Sequence, residues 1–184
     1  VSMPTEVIRD SPATVGIVEA RRDTLLSVVR ALPVRRARAD GETMWNASVL
    51  AAAALQRPDA PPAPRVESDV LIVGSLRSPV WAGLLHLPPL GMPPVVTYGD
   101  TDAYETFRDR TVFIGAHGGS DDIHLTPGGQ RYGVELLGGG LQTLLRQAAL
   151  RRIAPVLDAG LALLTGLGTA WLAGELTPWY ATDG

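Results

Sequence analysis

The stretch Thr111 to Arg146, TVFIGAHGGSDDIHLTPGGQRYGVELLGGGLQTLLR, limits what the chain can fold into more than any other part of it. Thr111-Val112-Phe113-Ile114 is β-branched and aromatic, the composition of a buried strand. The run stops at Gly115 and opens into small residues and acids from Ala116 to Asp122. Thr126-Pro127-Gly128-Gly129 is turn chemistry, because proline fixes φ and glycine accepts positive φ. Gly133-Val134-Glu135 then leads into Leu136, Leu137, Leu141, Leu144 and Leu145, spaced for one face of a helix. Glu135 suits the first turn, where the helix macrodipole favours an acid. Gly138-Gly139-Gly140 opposes that helix, since each glycine costs roughly 1 kcal/mol relative to alanine. The expected unit is strand, long loop, helix. An α/β protein uses such a unit to carry a site, and equally to turn a corner.

The rest of the chain supports an α/β domain with a mixed sheet flanked by helices. Its 184 residues suffice for one domain with a real core. Net charge is −3 and the 16 basic residues, all arginine, are scattered, so no nucleic-acid footprint exists. Cysteine is absent, which removes disulfide and thiolate–metal readings. Val1 to Asp10 has neither the basic start nor the apolar run of a secretory signal, so export would need a segment beyond this chain.

Taken in order, Val15 to Val18 reads as a short strand, and Thr24 to Val29 as a second strand ending before Pro33. Arg35, Arg36 and Arg38 form a basic run whose commoner reading is a solvated strand face rather than an anion site. Asp40-Gly41 is a hairpin turn signal. Asn46 to Leu55 is an alanine-rich helix. Arg57 to Pro64 carries too many prolines for helix or central strand and reads as an extended surface loop within the domain. Val70 to Val73 is the next strand. Ser78 to Pro94 is broken by prolines and reads as a long loop carrying Trp81 and His86. Val95 to Tyr98 is another short strand, and Asp102 to Phe107 one or two helical turns.

These pieces resemble a known family. The run to Ile114-Gly115, the small-residue loop with Asp121 and Asp122, Thr126-Pro127, Gly133-Val134-Glu135 and Leu141-Gln142-Thr143-Leu144-Leu145 are similar, in order and spacing, to the type-two CHASE domain. CHASE stands for cyclases/histidine kinases associated sensory extracellular. Thr97-Tyr98-Gly99-Asp100 with Phe107-Arg108-Asp109-Arg110 resembles the approach to that strand. Gly16-Ile17-Val18 through Arg30 and Trp45 to Leu50 resemble an earlier strand-and-helix segment. In the family the arginine run and the Asp40-Gly41 turn sit in a β-hairpin.

The resemblance implies a non-enzymatic, extracytoplasmic sensor of a membrane receptor, working as a homodimer. Its output would be a nucleotide cyclase, histidine kinase or serine/threonine kinase outside this chain. Such domains usually begin with an N-terminal strand and helix carrying an Asp-rich strand end and a Trp-Pro turn, and neither feature stands at the start of this sequence. The expectation is therefore a piece of a longer receptor: residues 1–150 as the sensor, residues 151–184 as a membrane-proximal or transmembrane segment. The helix from Val134 to Ala149 would be the two-state element that passes a signal onward.

The tail bears on this. Val156 to Gly174, VLDAGLALLTGLGTAWLAG, is nearly uncharged and close to the ~20 residues a membrane span needs. Asp158 opposes insertion at ~3 kcal/mol at the bilayer centre, and less near an end. Trp171, Trp179 and Tyr180 suit an aromatic belt. Arg151 and Arg152 before the segment and Glu175 after it would put the arginine end in the cytoplasm by the positive-inside rule, whereas the family places that end outside.

Chemistry concentrates in the central loop. His117, Asp121, Asp122 and His124 could bind a divalent metal through nitrogen and oxygen, but their spacing matches no known ligand set, and a polar loop bonded to itself is the commoner reading. Gly115 to Ser120 lacks both the Lys-Ser/Thr ending of a P-loop and the glycine spacing of a dinucleotide fold. Ser120 with His117 or His124 and Asp122 has the letters of a hydrolase triad without a G-x-S-x-G elbow. The alternative function is thus a small soluble hydrolase or metal-dependent enzyme using the loop 117–124. On the sensor reading, His117, Ser120, Asp121, Asp122, His124, Trp81 and His86 are candidate contacts for an unknown small-molecule or protein signal. No catalytic residue, metal or cofactor is expected.

Overall fold

Short apolar runs punctuated by glycine and proline give short strands joined by tight turns, and that is what forms here. The computed structural model describes residues 16–17, 20–22, 28–89, 95, 107, 110–115 and 122–180. The first four strands are β1 (Arg21–Arg22), β2 (Val29–Pro33), β3 (Arg35–Ala37) and β4 (Thr43–Trp45). Helix α1 (Ala47–Gln56) follows. Then come β5 (Arg65–Glu67), β6 (Val70–Val73), β7 (Leu76–Pro79) and β8 (Leu84–His86). The hairpin β9 (Ile123–Thr126) and β10 (Gly129–Tyr132) leads into α2 (Gly133–Leu145), and the long helix α3 (Pro155–Tyr180) comes last.

The α/β class holds, and among the described residues the strands divide into four small antiparallel sheets: β1-β2-β8, β3-β4, β5-β6-β7 and β9-β10. A parallel bridge between Ile17 and Asn46 ties the first described residues to the start of α1. Arg35 and Arg36 lie on β3 and Arg38 just after it, all exposed, and the hairpin turns at Gly41 with φ 85°, as the Asp-Gly signal requires. Arg38 pairs there with Asp40 at 3.3 Å and Glu42 at 3.4 Å, and Arg35 lies 5.9 Å above the Trp45 ring.

α1 starts where Asn46 caps it, its Oδ1 accepting the Ser48 amide at 3.0 Å. Its small residues Ser48, Ala52 and Ala53 are buried and let α2 pack closely against it. The core joins Val34 and Val49 to Leu71, Val73 and Leu85 from the strands, and to Leu141 and Leu144 from α2. Each fully buried leucine of this kind contributes about 1.5–3 kcal/mol. The glycine run does not break α2, because this burial outweighs the propensity cost.

Three expectations change. Thr111 to Ile114 is not a buried strand: it carries no strand pairing with any described residue, and Ile114 is 88% exposed. Its β-branched residues favour an extended backbone, and Phe113 alone packs on the core. Ser78 to Pro94 is not one long loop, since β7 reaches Pro79 and β8 occupies Leu84–His86. Proline is tolerated at Pro79 because β7 is an edge strand. Ala82 and Gly83, with φ 51° and 72°, make the tight turn between β7 and β8. The segment after Asp121 is not loop up to the turn either, because Ile123–Thr126 pairs with Gly129–Tyr132 around Thr126-Pro127-Gly128-Gly129.

Residues 24–27, 96–98 and 102–106, read above as strand or helical turns, lie outside the described residues. Val95 stands outside any strand.

Residues 152–184 form a unit of their own. In it, Pro155–Glu175 has a mean hydropathy of 1.5 and is long and apolar enough to cross a membrane. At 1.5 Å per residue it spans roughly 32 Å, against a hydrocarbon thickness of about 30 Å. Leu157, Leu161, Leu164 and Trp171 are all exposed on it.

Candidate functional site

The sequence candidates fall into two groups, and the structure brings together two pairs. His117, Ser120 and Asp121 lie outside the described residues. Trp81 and His86 meet across the β7–β8 turn, where Trp81 and Leu84 exchange backbone hydrogen bonds at 3.0 and 2.9 Å. Two residues further on, the strand period returns His86 to the side of Trp81. Their rings stack 5.3 Å apart at 21°. Trp81 is 46% exposed, whereas His86 Nε2 is buried and has no hydrogen-bond partner among the described residues. Burial lowers the His86 pKa from its ordinary 6.5, because the imidazolium loses solvation there. The pair is a flat, half-exposed aromatic surface over a neutral imidazole.

Asp122 and His124 are the second pair, with His124 Nε2 3.4 Å from Asp122 Oδ1. The other carboxylate oxygen, Asp122 Oδ2, accepts the Gly133 amide at 3.1 Å, and Glu135 Oε2 accepts the Tyr132 amide at 2.7 Å. Two acids therefore satisfy amides at the start of α2, where helix N–H groups lack intrahelical partners. A Cβ at Gly133 would meet the Asp122 carboxylate, which would have to move aside to admit it. This gives Asp122 a structural task that the sequence reading assigned only to Glu135. The sign of it in the sequence was a glycine placed directly at the helix start.

β2 links the two pairs, since it is hydrogen-bonded to β8 and also packs on β9. Among the described residues no group of three or more His, Cys, Asp and Glu side chains could hold a metal ion. A feature that the sequence reading passed over is a cavity of about 590 Å³ between α1 and the proline segment, lined by Ala47, Leu50, Ala51 and Pro61 to Pro64 among others. Among the described residues its lining is apolar, with no ionisable side chain. It suits apolar contact rather than bond-breaking chemistry.

An α/β unit is followed here by one helix long and apolar enough to cross a membrane. The comparisons name the class: residues 3–174 match the family model of the CHASE2 domain. The match takes in most of the chain, and the chain belongs to that family, whose members are extracellular sensor domains of signalling receptors. No curated protein and no solved structure matches the chain.

Proposed function

We propose that this chain is the extracytoplasmic signal-sensing part of a membrane receptor, with residues 1–150 as the sensor and α3 as a membrane span. The output, a nucleotide cyclase, histidine kinase or serine/threonine kinase, lies outside the chain, which itself has no catalytic role. The working unit is a homodimer. The observation that carries this reading is the helix Pro155–Glu175, apolar and 0% buried, in a chain of a sensor family. Its hydroxyls fit an apolar medium: Thr165 donates to the Leu161 carbonyl at 2.9 Å and Thr169 to that of Thr165 at 2.7 Å. Both are satisfied inside the helix without water.

The signal, a small molecule or a protein surface, is read by Trp81 and His86 together with the loop His117, Ser120, Asp121, Asp122 and His124. Trp81 supplies a stacking face, and the loop supplies charge.

The absence of cysteine makes a direct test available. Ala63→Cys, at an exposed position of the proline segment, is labelled in intact cells by a membrane-impermeant maleimide if the sensor faces outward. The full chain should sediment with membranes and resist alkaline extraction, and a chain ending at Arg151 should not. Labelling only after lysis would overturn the outward orientation, and so support the direction that Arg151 and Arg152 favour. A soluble full chain would overturn the span.

A further inference from the structure

Among the described residues β8 forms an edge of the sheet β1-β2-β8. Ala31 faces His86 in the β2–β8 ladder, and the neighbouring Leu87 amide donates to the Arg30 carbonyl at 2.9 Å. Antiparallel pairs alternate between hydrogen-bonded and non-bonded, so the backbone groups of His86 point away from β2, to the outer edge. The Leu150 amide takes that edge carbonyl at 3.2 Å.

Leu150 is reached through a tight joint after α2. Gln147 donates to the Leu144 carbonyl and Ala148 to that of Thr143, both at 3.0 Å. Gln147 sits at φ 50°, the left-handed position that helix ends usually give to glycine. Ala149 is buried in the core, Arg151 to Ala154 are exposed and without regular structure, and α3 begins at Pro155. His86 thus offers its ring to Trp81 and its carbonyl to the last segment before α3.

We propose, resting on the sensor reading, that residues 147–150 are a latch on the edge of β8 that releases and re-docks as one piece, so that a signal received at Trp81 and His86 reaches the chain's exit toward α3 along a single strand. The segment is lightly held. Three backbone hydrogen bonds hold it, from the Gln147, Ala148 and Leu150 amides, Ala149 buries only a methyl group, and Gln147 sits in a conformation unfavourable for a non-glycine residue. The buried Leu136, Leu137, Leu141 and Leu144 hold α2 itself far more firmly. Release therefore leaves α2 in place. The Trp81 stack restrains His86, and a ligand that shifts the stack shifts the carbonyl to which the latch is bound.

Amide hydrogen exchange on the whole chain in lipid nanodiscs tests this. In the native chain the Leu150 amide should exchange more slowly than that of Ile153, which is exposed and outside regular structure, and faster than that of Leu144 in α2. Trp81→Ala should speed Leu150 by roughly tenfold while leaving Leu144 unchanged, the mark of local opening. Gln147→Gly should slow Leu150 by roughly threefold, because glycine relaxes the joint. Leu150 exchanging as fast as Ile153, or Leu150 and Leu144 accelerating together, would overturn the latch. Should Trp81→Ala fail to fold, Gln147→Gly decides by its sign: no slowing at Leu150 overturns it. Gln147→Gly in a receptor that carries its output separates the two ideas. Slower exchange with unchanged output would overturn the latch as the route of the signal and leave the sensor reading, which the labelling and extraction experiments test, standing.

Discussion

Ser48 and Gly140 meet where α1 crosses α2. The Ser48 hydroxyl donates to the Leu137 carbonyl at 2.7 Å, and a Cβ on Gly140 would lie 2.8 Å from Ser48 Oγ and 2.6 Å from Leu32 Cδ1. The glycine that weakens the helix by propensity is the one that lets the two helices touch. Close approach and the buried hydrogen bond are one device.

Gly140→Ala should therefore destabilise the fold by about 1–3 kcal/mol through overpacking, despite alanine's better helix propensity. Gly139→Ala meets no atom within 4 Å and should stabilise by up to about 1 kcal/mol. Urea melts of the two variants check this; shifts of the same sign would refute it.

Asp122→Ala should cost about 1 kcal/mol, because the Gly133 amide loses its acceptor, while Asp122→Asn should cost less, since it keeps an oxygen in place. Denaturation midpoints read both. Loss of divalent-ion binding without loss of stability would instead return Asp122 to a ligand role.

His86 should make stability fall in mild acid. Burial lowers its folded pKa below the ordinary 6.5, so the unfolded chain takes up this proton first as pH drops. Its contribution is fully present above 6.5 and is lost as pH falls through the lowered folded value. His86→Phe keeps a ring against Trp81 and removes the titration. The difference in Tm between the two proteins should widen in the variant's favour from about pH 8 to about pH 5. A difference independent of pH would exclude this role.

Gln56 clamps the β6–β7 turn. Its Nε2 donates to the Val73 carbonyl at 2.6 Å, and its Oε1 accepts from both the amide and the hydroxyl of Ser75 at 2.9 Å. Gln56→Ala should cost about 1–3 kcal/mol, with an unchanged denaturant slope if the unfolding remains all-or-none.

What was legible in the sequence was local. Asn46 before an alanine run, Asp40-Gly41, Thr126-Pro127-Gly128-Gly129 and the leucines from Leu136 to Leu145 act through backbone dihedrals, capping and helical period, which depend on near neighbours. The apolar length from Val156 to Gly174 is of the same kind, as is the order of motifs that places the chain in its family. Tertiary structure decided what depends on distant partners. Whether Thr111 to Ile114 becomes a strand depends on an edge to pair with, and β-branched residues cannot supply one. Pro79 reads as a loop residue until β7 proves to be an edge. Asp122 reads as a ligand until the Gly133 amide arrives beside it, and Gly140 reads as a defect until Ser48 and Leu32 close on it. Each outcome turned on which surfaces meet, and packing, unlike propensity, is a property of the whole chain.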